Sequence, residues 1–375
     1  MAGLYVQVPF RQTLHSSDGA HAVAPDSADE SIFVEALSLE TDRYAQHPLT
    51  EAPISTIYIG SDRPSLFSLR LLDTITSALR TVVDASAITE TTVELSPDDI
   101  SSSYLNDLRQ LGLTRVSLDA LSFAPGDLRA VGAPHSIDDL FQTLRHVHRA
   151  GVDAVSVDLS FGGGEHPLSH WKASLHRAVE LRVPHIALRE RDPSKVLEAD
   201  QKERARRLGF AMRFLRAKGY EQYELTHFAR PGHRSRHQEK YYAHGNYLGL
   251  GPGAESFWWP DRTDPPTARR WSNVSDLATY VERLRNDASP VEQLESPDRS
   301  ALAREYILLR LRTKAGLDLD VLGDRYGFPL RTRRASTLDR LAEEELIHDD
   351  PDRVRLTDRG RLLTDAITQR LIREE

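Results

Sequence analysis

His227, His233 and His237 alternate with Arg230, Arg234 and Arg236 in one short stretch, and Tyr241 and Tyr242 follow directly. Imidazole can ligate iron, guanidinium pairs with carboxylate or phosphate, and flat aromatic rings stack on planar ligands. Each of these residues also occurs as an ordinary hydrogen-bonded surface group, so only the combination points to a ligand. Gly249, Gly251 and Gly253, a little further on, suggest backbone lying close against something. A second candidate is the run Gly162-Gly163-Gly164, which can cradle a ligand or simply make a tight turn. It lacks the Lys-Ser/Thr of a phosphate-binding loop and the G-x-G-x-x-G spacing of a dinucleotide site. His15, His21 and Asp18 could contribute to a zinc site, but no fourth ligand accompanies them. No Ser/His/Asp nucleophile motif, H-E-x-x-H or EF-hand loop occurs.

The chain has 375 residues and no cysteine. That excludes disulfides, thiolate zinc sites, cysteine nucleophiles and thiolate-held iron–sulfur clusters. Hydrophobic residues make up 39% and charged residues 28%, a composition that can bury a core, so a disordered chain is excluded. A net charge of −8 argues against a nucleic-acid partner. No apolar run is long enough to span a membrane, and the first residues lack the basic and apolar regions of a signal peptide, so a cytoplasmic location is expected.

The elements that must position these residues are legible as repeated strand–helix units. Strands are expected at 4–8, 56–59, 92–95, 115–118, 154–159 and 185–189. Amphipathic helices are expected at 31–45, 66–82, 103–111, 137–150 and 170–181. Ser136 reads as an N-cap followed by Asp138 and Asp139, with Gly151 just past the helix end. Six units predict an α/β fold built on a partial (β/α)6 barrel with functional loops after the strand C-termini. A basic helix at 199–218 and the aromatic stretch 220–259 complete a domain spanning 1–260. A Pro-rich connection lies in the linker region 261–299. Residues 300–375 read as a small helical, winged-helix-like domain with a hairpin at 346–356. Residues 299–375 carry 16 Arg/Lys against 15 Asp/Glu, a balance unlike that of a DNA-binding module.

Leu4-Tyr5-Val6-Gln7-Val8-Pro9-Phe10 resembles the opening strand of the oxygen-independent coproporphyrinogen III oxidase-like radical S-adenosylmethionine (SAM) family, in particular its HemW-type heme chaperones. Further matches are Gly112-Leu113-Thr114-Arg115-Val116-Ser117-Leu118, Val157-Asp158-Leu159, the stretch from Tyr220 to Ser256, and Leu356-Thr357-Asp358-Arg359-Gly360-Arg361. The family carries C-x3-C-x2-C after the first strand, where this chain has Arg11, His15 and Asp18. The resemblance therefore implies a degenerate radical SAM protein, a pseudoenzyme in which no 4Fe–4S cluster is expected. Leu121 and Ala133 stand where the family has Gln and Arg, which leaves SAM binding open, while Glu94, Asp158, Gly162 and Gly163 remain at cofactor positions.

Arg236-His237-Gln238-Glu239-Lys240-Tyr241-Tyr242 resembles the chaperones' H-N-x-x-Y-W motif. By that resemblance His237 is the heme-iron ligand, Arg230, Arg234 or Arg236 pairs with propionates, and Tyr241 and Tyr242 stack on the macrocycle. The expected function is heme or porphyrin binding in heme trafficking, with a heme-acceptor protein as partner. Two alternatives stand beside it: a coproporphyrinogen III oxidase-like radical SAM enzyme, and a non-catalytic protein-interaction scaffold.

Overall fold

The structure is a computed structural model that describes residues 1–9, 27–46, 52–60, 67–80, 83–97, 100–161, 167–190, 198–260 and 267–373. Strands and helices alternate from the start: β1 (Ala2–Gln7), α1 (Ser27–Ala45), β2 (Ile54–Gly60), α2 (Leu69–Leu79), β3 (Glu90–Leu95), α3 (Ser102–Gln110) and β4 (Arg115–Leu121). Then come α4 (Pro125–Ala130), α5 (Ile137–Arg149), β5 (Ala154–Phe161), α6 (Leu168–Glu180), β6 (His185–Glu190) and α7 (Glu198–Ala217). Strands β1 to β6 lie side by side in sequence order and all pair in parallel. This is the partial (β/α)6 barrel expected from the repeat; β1 starts two residues and ends one residue earlier than expected, and the other five strands run one to three residues longer. The α5 boundaries follow their sequence signals: Ser136 and Asp139 form a reciprocal capping box, and Gly151 has φ +67°.

The barrel stays open because other strands occupy its edges. β7 (Glu221–Glu224) and β8 (His227–Ala229) extend the sheet beyond β6, and β9 (Tyr247–Leu250) pairs in parallel with β1. Between them α8 (Arg236–Tyr242) packs on β1 and β2. β10 (Glu255–Trp258), β11 (Arg269–Asn273), α9 (Leu277–Arg285) and β12 (Val291–Glu295) follow. Residues 269–295, expected within a linker, thus add two strands and a helix to the main sheet. The reason is burial: Trp271 joins the barrel core, and Tyr280 is fully buried in a cluster with Ala36 of α1. Glu40 ties these pieces together, accepting from Gly251 N at 2.8 Å, Asn273 Nδ2 at 2.6 Å and the Tyr280 hydroxyl at 2.7 Å. Burial pushes its carboxyl up to about 7 against those donors.

The remaining residues form α10 (Arg299–Leu311), β13 (Leu317–Asp318), α11 (Leu319–Asp324), α12 (Leu330–Glu343), β14 (Ile347–Asp350), β15 (Arg353–Leu356), α13 (Asp358–Arg361) and α14 (Thr364–Ile372). The three strands make an antiparallel sheet in the order β13-β15-β14 beside the helices, as a winged-helix-like module requires. Phe257 and Trp259 of the first domain enter this module's core. No helix among the described residues is long and apolar enough to cross a membrane.

Gly249 and Gly251 do lie against backbone, but it is the protein's own. A Cβ on Gly249 would stand 2.2 Å from the Glu255 carbonyl oxygen, and one on Gly251 2.3 Å from that of Gln7. Gly249→Ala is expected to destabilise the chain by roughly 2 kcal/mol or more, the scale of overpacking, read as a lower urea midpoint with an unchanged slope.

Candidate functional site

The inward face of the barrel is polar, unlike the branched aliphatic layers that usually fill such an interior. Side chains at alternate positions on β2 to β6 share that face, among them Tyr58, Glu94, Arg115, Ser117, Ser156, Asp158, His185 and Arg189. With His227, Ser235 and Gln238 most of these line a cavity of about 250 Å3. At its upper end the Arg189 guanidinium bridges two buried carboxylates, donating from Nη2 to Glu94 Oε1 at 2.5 Å and from Nε to Asp158 Oδ2 at 2.6 Å. Burial pushes Glu94 up to about 7 although Arg189 opposes the shift, and burial likewise moves Asp119 up to about 6.

Below this pair runs a continuous hydrogen-bonded chain. Ser117 and Ser156 each donate to Asp158 Oδ1, at 3.3 and 3.2 Å. The Ser156 oxygen therefore accepts from His185 Nδ1 at 2.7 Å, and His185 Nε2 accepts from the Tyr223 hydroxyl at 2.8 Å. Both ring nitrogens are used, and burial holds His185 well below the usual histidine range, so it stays neutral.

The expected heme ligand, His237, is on α8 but turned into the protein and 1% exposed. Its Nδ1 bonds Thr56 Oγ1 at 3.0 Å and its Nε2 bonds the Tyr241 hydroxyl at 2.9 Å. Burial, with the Lys240 charge nearby, holds it down at about 3. No nitrogen is left for iron, so His237 serves to seat α8 on the barrel. The helix start is fixed from the other side by Glu90, which accepts from Arg236 N, His237 N and Ser235 Oγ. Tyr241 packs edge-on to Tyr247 at 4.7 Å, and Tyr242 edge-on to His227 at 5.9 Å.

The arginines separate. Arg234 is paired with Glu221 and Glu239, Arg230 lies over the Tyr220 ring, and Arg236 is exposed. Glu94 and Asp158 are brought together, but Arg189 occupies them. Arg11, His15, Asp18, Gly162 and Gly163 lie outside the described residues.

His227 also lines the cavity. Its Nδ1 donates to Glu224 Oε2 at 2.8 Å, while its Nε2 bonds no described residue. Glu224 is fully buried and also accepts from Arg312 Nε at 2.8 Å. Burial would raise its carboxyl, but the His227 hydrogen bond and the Arg312 charge prevail and hold it at about 2. A buried carboxylate behind Nδ1–H fixes the tautomer and aims the Nε2 lone pair outward, an arrangement suited to ligation. Arg312 follows α10, so the C-terminal module supplies the outermost member. The motif resemblance selected His237 from the histidine-rich stretch and gave His227 no role, because only the packing decides which ring is consumed. Arg115 and Arg189 carried no site signal, being single residues at strand ends.

The donor set does not suit an iron–sulfur cluster, since the chain offers no thiolate. Among the described residues no group of His, Asp or Glu is disposed to hold a metal ion by itself.

The HemN C-terminal domain model matches residues 298–363. The chain is 26% identical to the heme chaperone HemW of Bacillus subtilis, covering 98% of each chain. It is 29% identical to that of Mycobacterium tuberculosis, covering 99% of this chain and 94% of the relative. Among solved structures, the coproporphyrinogen III oxidase HemN of Escherichia coli, described as a radical SAM enzyme, matches with a TM-score of 0.79 at 20% identity, over 99% of this chain and 89% of that one. The resemblance read from the sequence thus holds along the whole chain, and the fold is of the HemN radical SAM type. Over nearly its whole length the chain is similar to HemW heme chaperones.

The buried groups set a pH dependence. Glu40 and Glu94, raised from 4.5 to about 7, bind protons more tightly when folded and so add stability as pH falls from 7 to 4.5. His237, lowered from 6.5 to about 3, and His185, held well below the usual histidine range by burial, remove stability as pH falls below 6.5 and offset that gain. Glu224 and Glu305, lowered from 4.5 to about 2, remove it only below 4.5. Urea midpoints are expected to vary little between about pH 5 and 6.5 and to fall steeply below about 4.5, with a shallower acid limb in Glu224→Gln.

Proposed function

We propose that this chain binds heme or a related porphyrin and passes it to an acceptor protein, without radical SAM chemistry. The observation that carries the reading is the end-to-end similarity to heme chaperones in a chain without one cysteine. Without thiolates there is no cluster to deliver the electron that cleaves SAM. Arg189, clamped between Glu94 and Asp158, further supports the loss, because the two carboxylates left at cofactor positions are already neutralised from within.

Iron ligation falls to His227 rather than His237, since His227 keeps Nε2 free and has Glu224 behind Nδ1. The cavity is smaller than the usual 300–1,000 Å3 of ligand pockets, so a macrocycle would enter it by an edge. Exposed Arg236, at the start of α8, remains available to a propionate at the rim. When bound, heme supplies the iron centre that is the cargo; the chain's own residues hold and orient it.

Titration of the purified chain with hemin is expected to give a saturable Soret shift at one equivalent. His227→Ala should weaken binding at least tenfold or change the Soret position, whereas His237→Ala should leave the Soret position intact. Absence of any shift in the wild-type chain overturns the reading. Anaerobic reconstitution with iron and sulfide is expected to leave iron and sulfide far below the content of one 4Fe–4S cluster, with no SAM cleavage under reductant; a full cluster would restore the enzyme alternative.

A further inference from the structure

We propose that the barrel cavity contains a binding site for a singly charged carboxylate, built on Arg115 and Gln238. Arg115 is the first residue of β4, points inward and is 2% exposed. Its guanidinium makes one hydrogen bond, from Nη1 to the His233 carbonyl oxygen at 3.3 Å, and takes part in no ion pair among the described residues. The acidic side chain that begins the neighbouring strand, Glu90, spends its oxygens on Ser235 and the first amides of α8. A guanidinium cannot discharge by losing its proton, so a buried one without a counter-ion is costly to the fold and favours an anion beside it.

The groups around Arg115 fit such a ligand. The Gln238 side-chain amide faces the cavity and bonds no described residue, which leaves it free to donate. His227 lines the same space. On the upper side Ser117 and Ser156 donate away from the ligand, to Asp158. That wall is therefore electronegative and disfavours a doubly charged phosphate, while a planar single charge can lie in the Arg115 fork. A volume of about 250 Å3 admits a short-chain carboxylate or one carboxylate arm of a larger molecule. The site shares its cavity with the proposed heme edge but needs no iron, so it can hold where heme binding fails and fail where heme binding holds.

The probe is 13C-carboxyl propionate, followed by NMR with the full chain at constant ionic strength. Wild type is expected to bind it saturably at one site, as is Arg285→Gln, which alters a surface pair with Glu35. Arg115→Gln should weaken binding tenfold or more. Gln238→Leu, at a half-buried position of α8 rather than on a strand, should do the same and decides the matter if Arg115→Gln does not fold. The proposal is overturned by the absence of saturable propionate binding, by inorganic phosphate binding tenfold more tightly than propionate, or by wild-type affinity in both variants. Displacement of bound propionate by hemin would identify the carboxylate as a porphyrin arm; simultaneous binding would identify a free small acid.

Discussion

Arg189 neutralises the inside of the barrel. Glu94 and Asp158 project from β3 and β5 into a space where water is scarce, and two uncompensated carboxylates there would repel each other and resist burial. One guanidinium from β6 reaches both, which lets three strands keep charged residues on their inner face. A cationic ligand arriving at those carboxylates must compete with the Arg189 guanidinium. The hydrogen-bonded run from Asp158 through Ser156 and His185 to Tyr223 hangs from the same anchor, and burial keeps His185 neutral within it.

The segment after the sixth strand is bound to this interior by carboxylates. Glu90 fixes the start of α8, His237 presses the helix onto β2, and Glu224 fixes His227. Gly3 on β1 is part of the same fit, since a Cβ there would stand 3.1 Å from the His237 ring. Arg312 extends the arrangement into the C-terminal module: it pairs with Glu224, and the next residues continue the contact through Lys314 N and the Tyr223 carbonyl at 2.9 Å. The module thus completes the electrostatics of His227 instead of hanging from a linker.

The barrel was readable because its signals are local and repeated. Alternation of β-branched runs with amphipathic helices, and caps such as Ser136, depend on neighbours a few residues away. The strands β11 and β12 were not readable, since Arg269–Asn273 and Val291–Glu295 lie beyond a Pro-rich stretch and become strands by pairing with β10 and with each other. The three glycines from 249 to 253 were read as lying against something, and two of them do, but against Glu255 and Gln7. The histidine-rich stretch was found, but only the packing shows that both ring nitrogens of His237 are hydrogen-bonded while His227 uses Nδ1 for Glu224.

By itself the sequence determined two things. The repeat of strand and helix periods set the barrel, and the absence of cysteine removed thiolate chemistry wherever the chain might fold. Neither conclusion requires knowing which distant residues meet. The tertiary structure decided the rest: that Arg189 reaches Glu94 and Asp158, that His237 loses both nitrogens to Thr56 and Tyr241, and that Arg115 is buried with no carboxylate partner among the described residues. The reason is that a polar side chain's chemistry lies in which of its donors and acceptors remain unspent. Partners far apart in the chain spend them, and only the packed fold brings those partners together.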